Sequence, residues 1–238
     1  MSFLPTQRTM VALDNMDQAA VHAFLKTLPQ DIPLVKIGLE QYLAGGRALV
    51  QEIHELYGKE IFLDLKLHDI PNTVAKAMTS LIGLPIKFLT VHLSGGKAML
   101  EAAQEVREKH FKDLNILGVS YLTSLDQGDL KDLFNYEEDQ VAEAFSRFFD
   151  LAQNTGTQGI VCSAFEAKHV APRPLIKVCP GIRFQDEIGT ANMGDQKRVM
   201  DPASAFKAGA DYLVMGRSLT QAQNLEERIK ELNGLNIA

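Results

Sequence analysis

The chain has only two cysteines among its 238 residues, Cys162 and Cys179. They lie in apolar segments, "GIVCS" and "LIKVCPG", outside any CxxC or Cys/His cluster. That argues against a disulfide framework and reads as two reduced core thiols of a cytoplasmic protein. Basic runs are also missing. The net charge is −6, with acidic and basic residues mixed along the chain, which argues against nucleic acid or an anionic membrane as the main partner. A small anionic ligand stays open, because a few local cations can hold one whatever the net charge. No segment approaches ~18 uninterrupted apolar residues, so no span across a membrane is expected. The opening "MSFLPTQRTMVAL" lacks the basic start and apolar run of a signal peptide. There is no HExxH and no GxxxxGK[ST], and "LSGGKAML" has the wrong spacing for a phosphate loop. Linkers, charge blocks and low-complexity tracts are absent too.

What is present is regular alternation. The chain is 46% hydrophobic. Eight short apolar runs recur: "TMVALD", "PLVKIG", "EIFLDLK", "KFLTVHLS", "NILGVSYL", "QGIVCS", "LIKVCPGI" and "DYLVMGR". Between them lie stretches with helical spacing, such as "MDQAAVHAFLKTL", "LAGGRALVQEIHELYG" and "VAEAFSRFFDLAQ". The weakest, "AFEAKHVAPR", is cut short by Pro172. Eight β/α units in this length predict a single-domain α/β fold over residues 1–238, a closed (β/α)8 TIM barrel. The competing open doubly wound sheet usually carries a glycine fingerprint after its first strand. Here that turn reads "ALDNMDQ", without glycine.

Barrel active sites form at the C-terminal strand ends, and the charged and polar residues collect there. Asp14 ends the first strand and Lys36 the second. Asp64 and Lys66 end the third, followed by Asp69 in "FLDLKLHDIPNTV". His92 and Ser94 end the fourth, Thr123 and Ser124 follow the fifth, Arg183 the seventh and Arg217 the eighth. Residues two apart on a strand share a face, so Asp64 and Lys66 should point together into the mouth. Asp69 could fold back over Lys66, and Lys36 could arrive from the next strand. The expected result is an alternating array of two ammonium and two carboxylate groups, in which Lys66 stays protonated and can donate a proton. The plainer alternative is a structural ion-pair network. A second signal is "VMGRSLT", which puts Gly216 and Arg217 before a helix start, a combination suited to phosphate. The long loop "GIRFQDEIGTANMGDQ" reads as a lid. His22, His54, His110 and His169 read as surface residues, and His92 as a core or supporting group rather than a metal ligand.

With those residues in place, the sequence resembles the orotidine 5'-phosphate decarboxylase family. The motif "FLDLKLHDIPNTV" carries the likeness, together with "VALD", "VKIG", "TVH", "LTS", "CPGIR", "GDQ" and "GADYLVMGRS" in family order. The resemblance implies removal of CO2 from orotidine 5'-monophosphate to give UMP, the last step of pyrimidine synthesis, with no metal and no organic cofactor. It implies that Lys66 protonates C6 of the pyrimidine and that Asp64 lies against the departing carboxylate. Lys36 and Asp69 complete the array, and Asp14 with Lys36 holds the ribose. It sets Thr123 near the base, and Arg183, Gln196, Gly216 and Arg217 on the phosphate side. It further implies a homodimer with shared active sites, in which Asp69 and Thr73 reach into the partner's site, and it counts Asp69, Ile70 and Thr73 among the substrate-binding residues.

Two rivals follow from the same residues. One is a Mg2+-dependent sugar-phosphate decarboxylase or synthase of the same superfamily, which needs a carboxylate where this chain has Lys36. The other is an inactive barrel that acts as a binding module.

Overall fold

The computed structural model describes residues 4–170, 173–189 and 199–235. Eight parallel strands close into a barrel in chain order: β1 (Thr9–Ala12), β2 (Leu34–Gly38), β3 (Glu60–Leu67), β4 (Ile86–His92), β5 (Asn115–Val119), β6 (Gly159–Val161), β7 (Ile176–Cys179) and β8 (Tyr212–Met215). Each coincides with one of the eight apolar runs. Closure is explicit in the register, where Thr9, Met10 and Val11 pair with Leu213, Val214 and Met215. That pairing excludes the open sheet.

The helices cover the outside: α1 (Gln18–Leu25), α2 (Leu39–Tyr57), α3 (Pro71–Thr79), α4 (Gly96–His110), α5 (Gln127–Phe134), α6 (Glu138–Asn154), α7 (Ala164–Val170), α8 (Pro202–Lys207), α9 (Arg217–Thr220) and α10 (Leu225–Asn233). Asp17 caps α1 by accepting from the Ala20 N–H, and Asp201 caps α8 through Ser204. The "LAGGRALV" stretch is broken at Gly46, which takes φ 59°, so α2 is two helical pieces joined at a kink. The helix after Cys162 is indeed short, at seven residues. Pro172 lies outside the described residues.

Alternation along the strands divides the core in two. Odd-facing residues such as Val35, Ile37, Ile61, Leu63, Leu89 and Val91 pack against the helices. Their neighbours Met10, Ala12, Leu34, Phe62, Phe88, Leu117, Val178 and Val214 fill the barrel interior. The Phe88 ring meets both Phe62 and Tyr212 edge-on. Both cysteines are buried and free, as expected. Lys59, just ahead of β3, is fully buried; its Nζ donates to the Pro29 and Ile32 carbonyls at 2.8 and 2.9 Å. Burial pushes its pKa down, against the attraction of Asp31.

Candidate active site

The inward-facing parity of the strands builds the site. Continued upward from the barrel core, it runs Met10–Ala12–Asp14, Leu34–Lys36–Gly38, Phe62–Asp64 and Val214–Gly216. The polar members of those series surround a cavity of about 450 Å3 at the C-terminal mouth. Thr123 and Ser124 line it from the loop after β5, Arg183 from the loop after β7, and Arg217 from the start of α9.

The charges form a continuous chain. Lys36 Nζ lies 2.9 and 2.8 Å from the two oxygens of Asp14 and 3.7 Å from Asp64 Oδ2. Lys66 Nζ donates to both oxygens of Asp64 at 2.8 Å. Lys36 is 7% exposed, so its charge depends on the two carboxylates beside it. Burial pushes the Asp64 carboxyl up. Lys36, Lys66 and hydrogen bonds from Lys66 and Thr90 outweigh that, and the net shift is below the ordinary carboxylate value. Asp64 is therefore ionised at neutral pH.

The array differs from the expected one in membership and in cause. Asp14 takes the fourth place. Asp69 is exposed and turns to its own backbone, its Oδ1 accepting from the Ile70 N–H at 2.7 Å, so it does not fold over Lys66 within this chain. Pleat alternation does bring Asp64 into the mouth, but it does not bring Lys66. Lys66 has φ 50°, in the left-handed region, and the β3–β4 register slips between Leu63 and Leu67. A bulge, rather than the pleat, turns the ammonium back onto Asp64.

On the opposite wall, Arg183 is 8% exposed and its Nη1 donates to Ser218 Oγ at 3.1 Å. Burial and then the like charge of Arg217 lower its pKa, against Glu187. Neither guanidinium forms an ion pair among the described residues, so this wall is suited to an anion. The helix start contributes less than expected, since α9 is a single turn. Gln196 lies outside the described residues, as does the later part of the lid. His92 is half-buried; burial, His68 and Lys66 lower its pKa against the pull of Asp64, and its ring lies 5.1 Å from that of His68. Among the described residues no group of His, Cys, Asp and Glu could hold a metal ion. Asp69 and Ile70, on the segment that leads into α3, and Thr73, in its first turn, are exposed.

Three residues escape a reading of the sequence. Gly38 sits where a Cβ would come 2.5 Å from Asp14 Oδ1 and 3.0 Å from Lys36 Nζ. The Asp14–Lys36 pair needs that position bare. Thr90 bonds to Asp64 and Lys66, and Ser218 orients Arg183. Inward parity was the available signal for Gly38 and Thr90, because each lies two residues from another inward position.

The fold and the site define an (β/α)8-barrel enzyme whose mouth opposes a lysine–aspartate array to an arginine-lined anion wall. The family model described as "Orotidine 5'-phosphate decarboxylase / HUMPS family" matches residues 7–232, and the chain belongs to that family. It is 40% identical over 232 residues to an orotidine 5'-phosphate decarboxylase of Vibrio atlanticus, covering 96% of this chain and 97% of the relative. Identity is also 40% over 237 residues to the enzyme of that name from Neisseria gonorrhoeae, covering 96% and 93%. A crystal structure of orotidine 5'-phosphate decarboxylase from Lactobacillus acidophilus superposes with TM-score 0.77 at 29% identity, covering 95% of this chain and 98% of that one.

Proposed function

We propose that this chain converts orotidine 5'-monophosphate to UMP and CO2, with Lys66 as proton donor and with no metal ion in the reaction. The observation that carries this reading is the contact chain Asp14–Lys36–Asp64–Lys66. It sets the ammonium of Lys36 at the end of β2, where the Mg2+-dependent members of the superfamily need a carboxylate. Lys36, held between two aspartates, would repel a divalent cation.

The chemistry fits these groups. Breaking the bond from C6 to the carboxylate carbon leaves an electron pair on C6 that no carbonyl can absorb. Fixed positive charge beside C6 stabilises that pair, and a proton close by ends the reaction. Lys66 supplies both, passing one proton to C6 and recovering one from solvent. Asp64 lies against the departing carboxylate, while Asp14 and Lys36 hold the ribose and Thr123 borders the base. Arg183, Gly216 and Arg217, with Gln196 from the lid, take the phosphate. Binding energy gained there can be used to assemble the distant reacting centre.

The same reading makes the working unit a homodimer of single-domain barrels with shared sites. Asp69, Ile70 and Thr73 lie exposed beside the mouth, and Ile70 leaves 67% of its surface in solvent. A partner's site would give them something to contact. The two free, buried cysteines suit a reducing cytoplasm. No helix among the described residues is long and apolar enough to cross a membrane.

The test is direct: incubate purified protein with orotidine 5'-monophosphate and EDTA and follow the ultraviolet spectrum. Conversion to the UMP spectrum is expected. Failure to turn over, or turnover only after Mg2+ is added, would move the chain to the metal-dependent branch of the superfamily.

A further inference from the structure

The bulge in β3 leaves one side chain serving both halves of the charge array. Leu63 pairs with Leu89 and Leu67 with Val91, so residues 64–66 stand opposite Thr90 alone. A ladder interrupted in this way leaves backbone groups unpaired. The Thr90 hydroxyl takes up part of that slack and also reaches the Asp64 side chain. Its oxygen accepts from the Lys66 N–H at 2.8 Å, and its proton goes to Asp64 Oδ1 at 2.9 Å.

Only a hydroxyl offers donor and acceptor from one atom at this spot. Thr90 is fully buried and does not line the cavity, so it acts through its neighbours and not on a ligand. A non-glycine residue at φ 50° persists only where its surroundings hold it there. The bond from the Lys66 N–H is one such restraint. Asp64 has competing cations on two sides, Lys66 at 2.8 Å and Lys36 at 3.7 Å. The Thr90 bond fixes which way its oxygens face.

We infer that Thr90 is a positioning residue for the decarboxylation: its hydroxyl locks the Lys66 backbone and the Asp64 carboxylate into one arrangement, so that proton donor and carboxylate meet the substrate in register. This rests on the functional reading above. Asp64 is faced by Lys36 from β2, Lys66 from β3 and His92 from β4, with Asp14 acting through Lys36. Among the described residues, Thr90 is the remaining hydrogen-bond donor to it. Its removal takes away one group that favours the ionised carboxylate, so Asp64 should protonate at higher pH.

The experiment compares kcat, KM and the pH profile of kcat/KM for the wild type, Thr90→Val and Thr90→Ser, with circular dichroism as a check on folding. Thr90→Val is expected to lower kcat about 10- to 100-fold, the range for losing a hydrogen bond to a charged group. KM should stay within about threefold, and the acid limb of the profile should move to higher pH. Thr90→Ser should recover most of the rate and restore the limb. Wild-type rate in Thr90→Val overturns the inference. So does a slow Thr90→Val with an unmoved acid limb, or a serine variant as poor as the valine one, because either marks a packing role. If Thr90→Val does not fold, Thr90→Ala takes its place. Loss of folding in both assigns Thr90 to folding alone and overturns the inference too. An inactive wild type would instead sink the functional reading itself.

Discussion

At the scale of single residues, the site depends on charges that tolerate burial only in company. If Lys66 is the proton donor proposed above, Lys66→Ala removes both the proton and the positive charge beside the reacting carbon. It should lower kcat by at least about 10^3-fold, while affinity for UMP falls by less than about tenfold. Stopped-flow turnover and calorimetric binding separate the two. Arg217→Ala should act in the opposite sense and weaken UMP far more than uridine if its guanidinium, which has no ion pair among the described residues, holds the phosphate as proposed. Equal losses for both ligands would remove Arg217 from that wall. Gly38→Ala is a sharper test of geometry. The added methyl would come 2.5 Å from Asp14 Oδ1, so the carboxylate must swing away and leave Lys36 half-paired. A rise in KM of roughly tenfold or more is expected, with the melting temperature nearly unchanged because the mouth adds little to the core.

At the scale of elements, β3 performs two jobs with different chemistry at its two ends. Its lower half is sheet, in register with β2 from Glu60 to Asp64. Its upper half leaves the ladder with β4, and the departure aims Lys66. Below β3, Lys59 ties the strand to the loop after α1 through two backbone carbonyls. Lys59→Met keeps the stem but leaves both carbonyls without a donor. A loss of about 2–4 kcal/mol in urea unfolding is expected, with kcat per folded molecule unchanged. A fall in kcat without a fall in stability would show that the lower end of the barrel communicates with the mouth. The lysine gives no sign of itself in "LYGKEIF", since burial of an ammonium depends on carbonyls that the fold brings from residues 29 and 32.

At the scale of the whole molecule, the question is whether one chain makes a complete site. Within this chain the Asp69 carboxylate is turned onto the Ile70 N–H, not towards Lys66. If Asp69 serves the partner's site, two inactive variants can complement each other. Mixing Asp69→Asn with Lys66→Ala under conditions that allow subunit exchange would give heterodimers in which one site has both native groups. Activity absent from either variant alone should then appear on mixing. No recovery, with exchange verified by mass spectrometry, would make Asp69 a residue of its own chain's site.

The sequence by itself determined the strand count, the strand ends and the residue types at the mouth. Apolar runs of strand length recur eight times, and charges gather at or just past their C-terminal ends, so pattern alone located Asp14, Lys36, Asp64, Lys66, Arg183 and Arg217. Tertiary structure decided which of those charges touch. Lys66 reaches Asp64 through a left-handed residue in a bulge, and the fourth member of the array is Asp14 rather than Asp69. It also decided the supporting roles of Gly38, Thr90 and Ser218, which are ordinary strand and turn residues when read in line. The physical reason is that a residue's identity fixes its chemistry, whereas burial, like-charge neighbours and hydrogen-bond partners belong to the space around it. Barrel closure gathers that space from strands far apart in the chain.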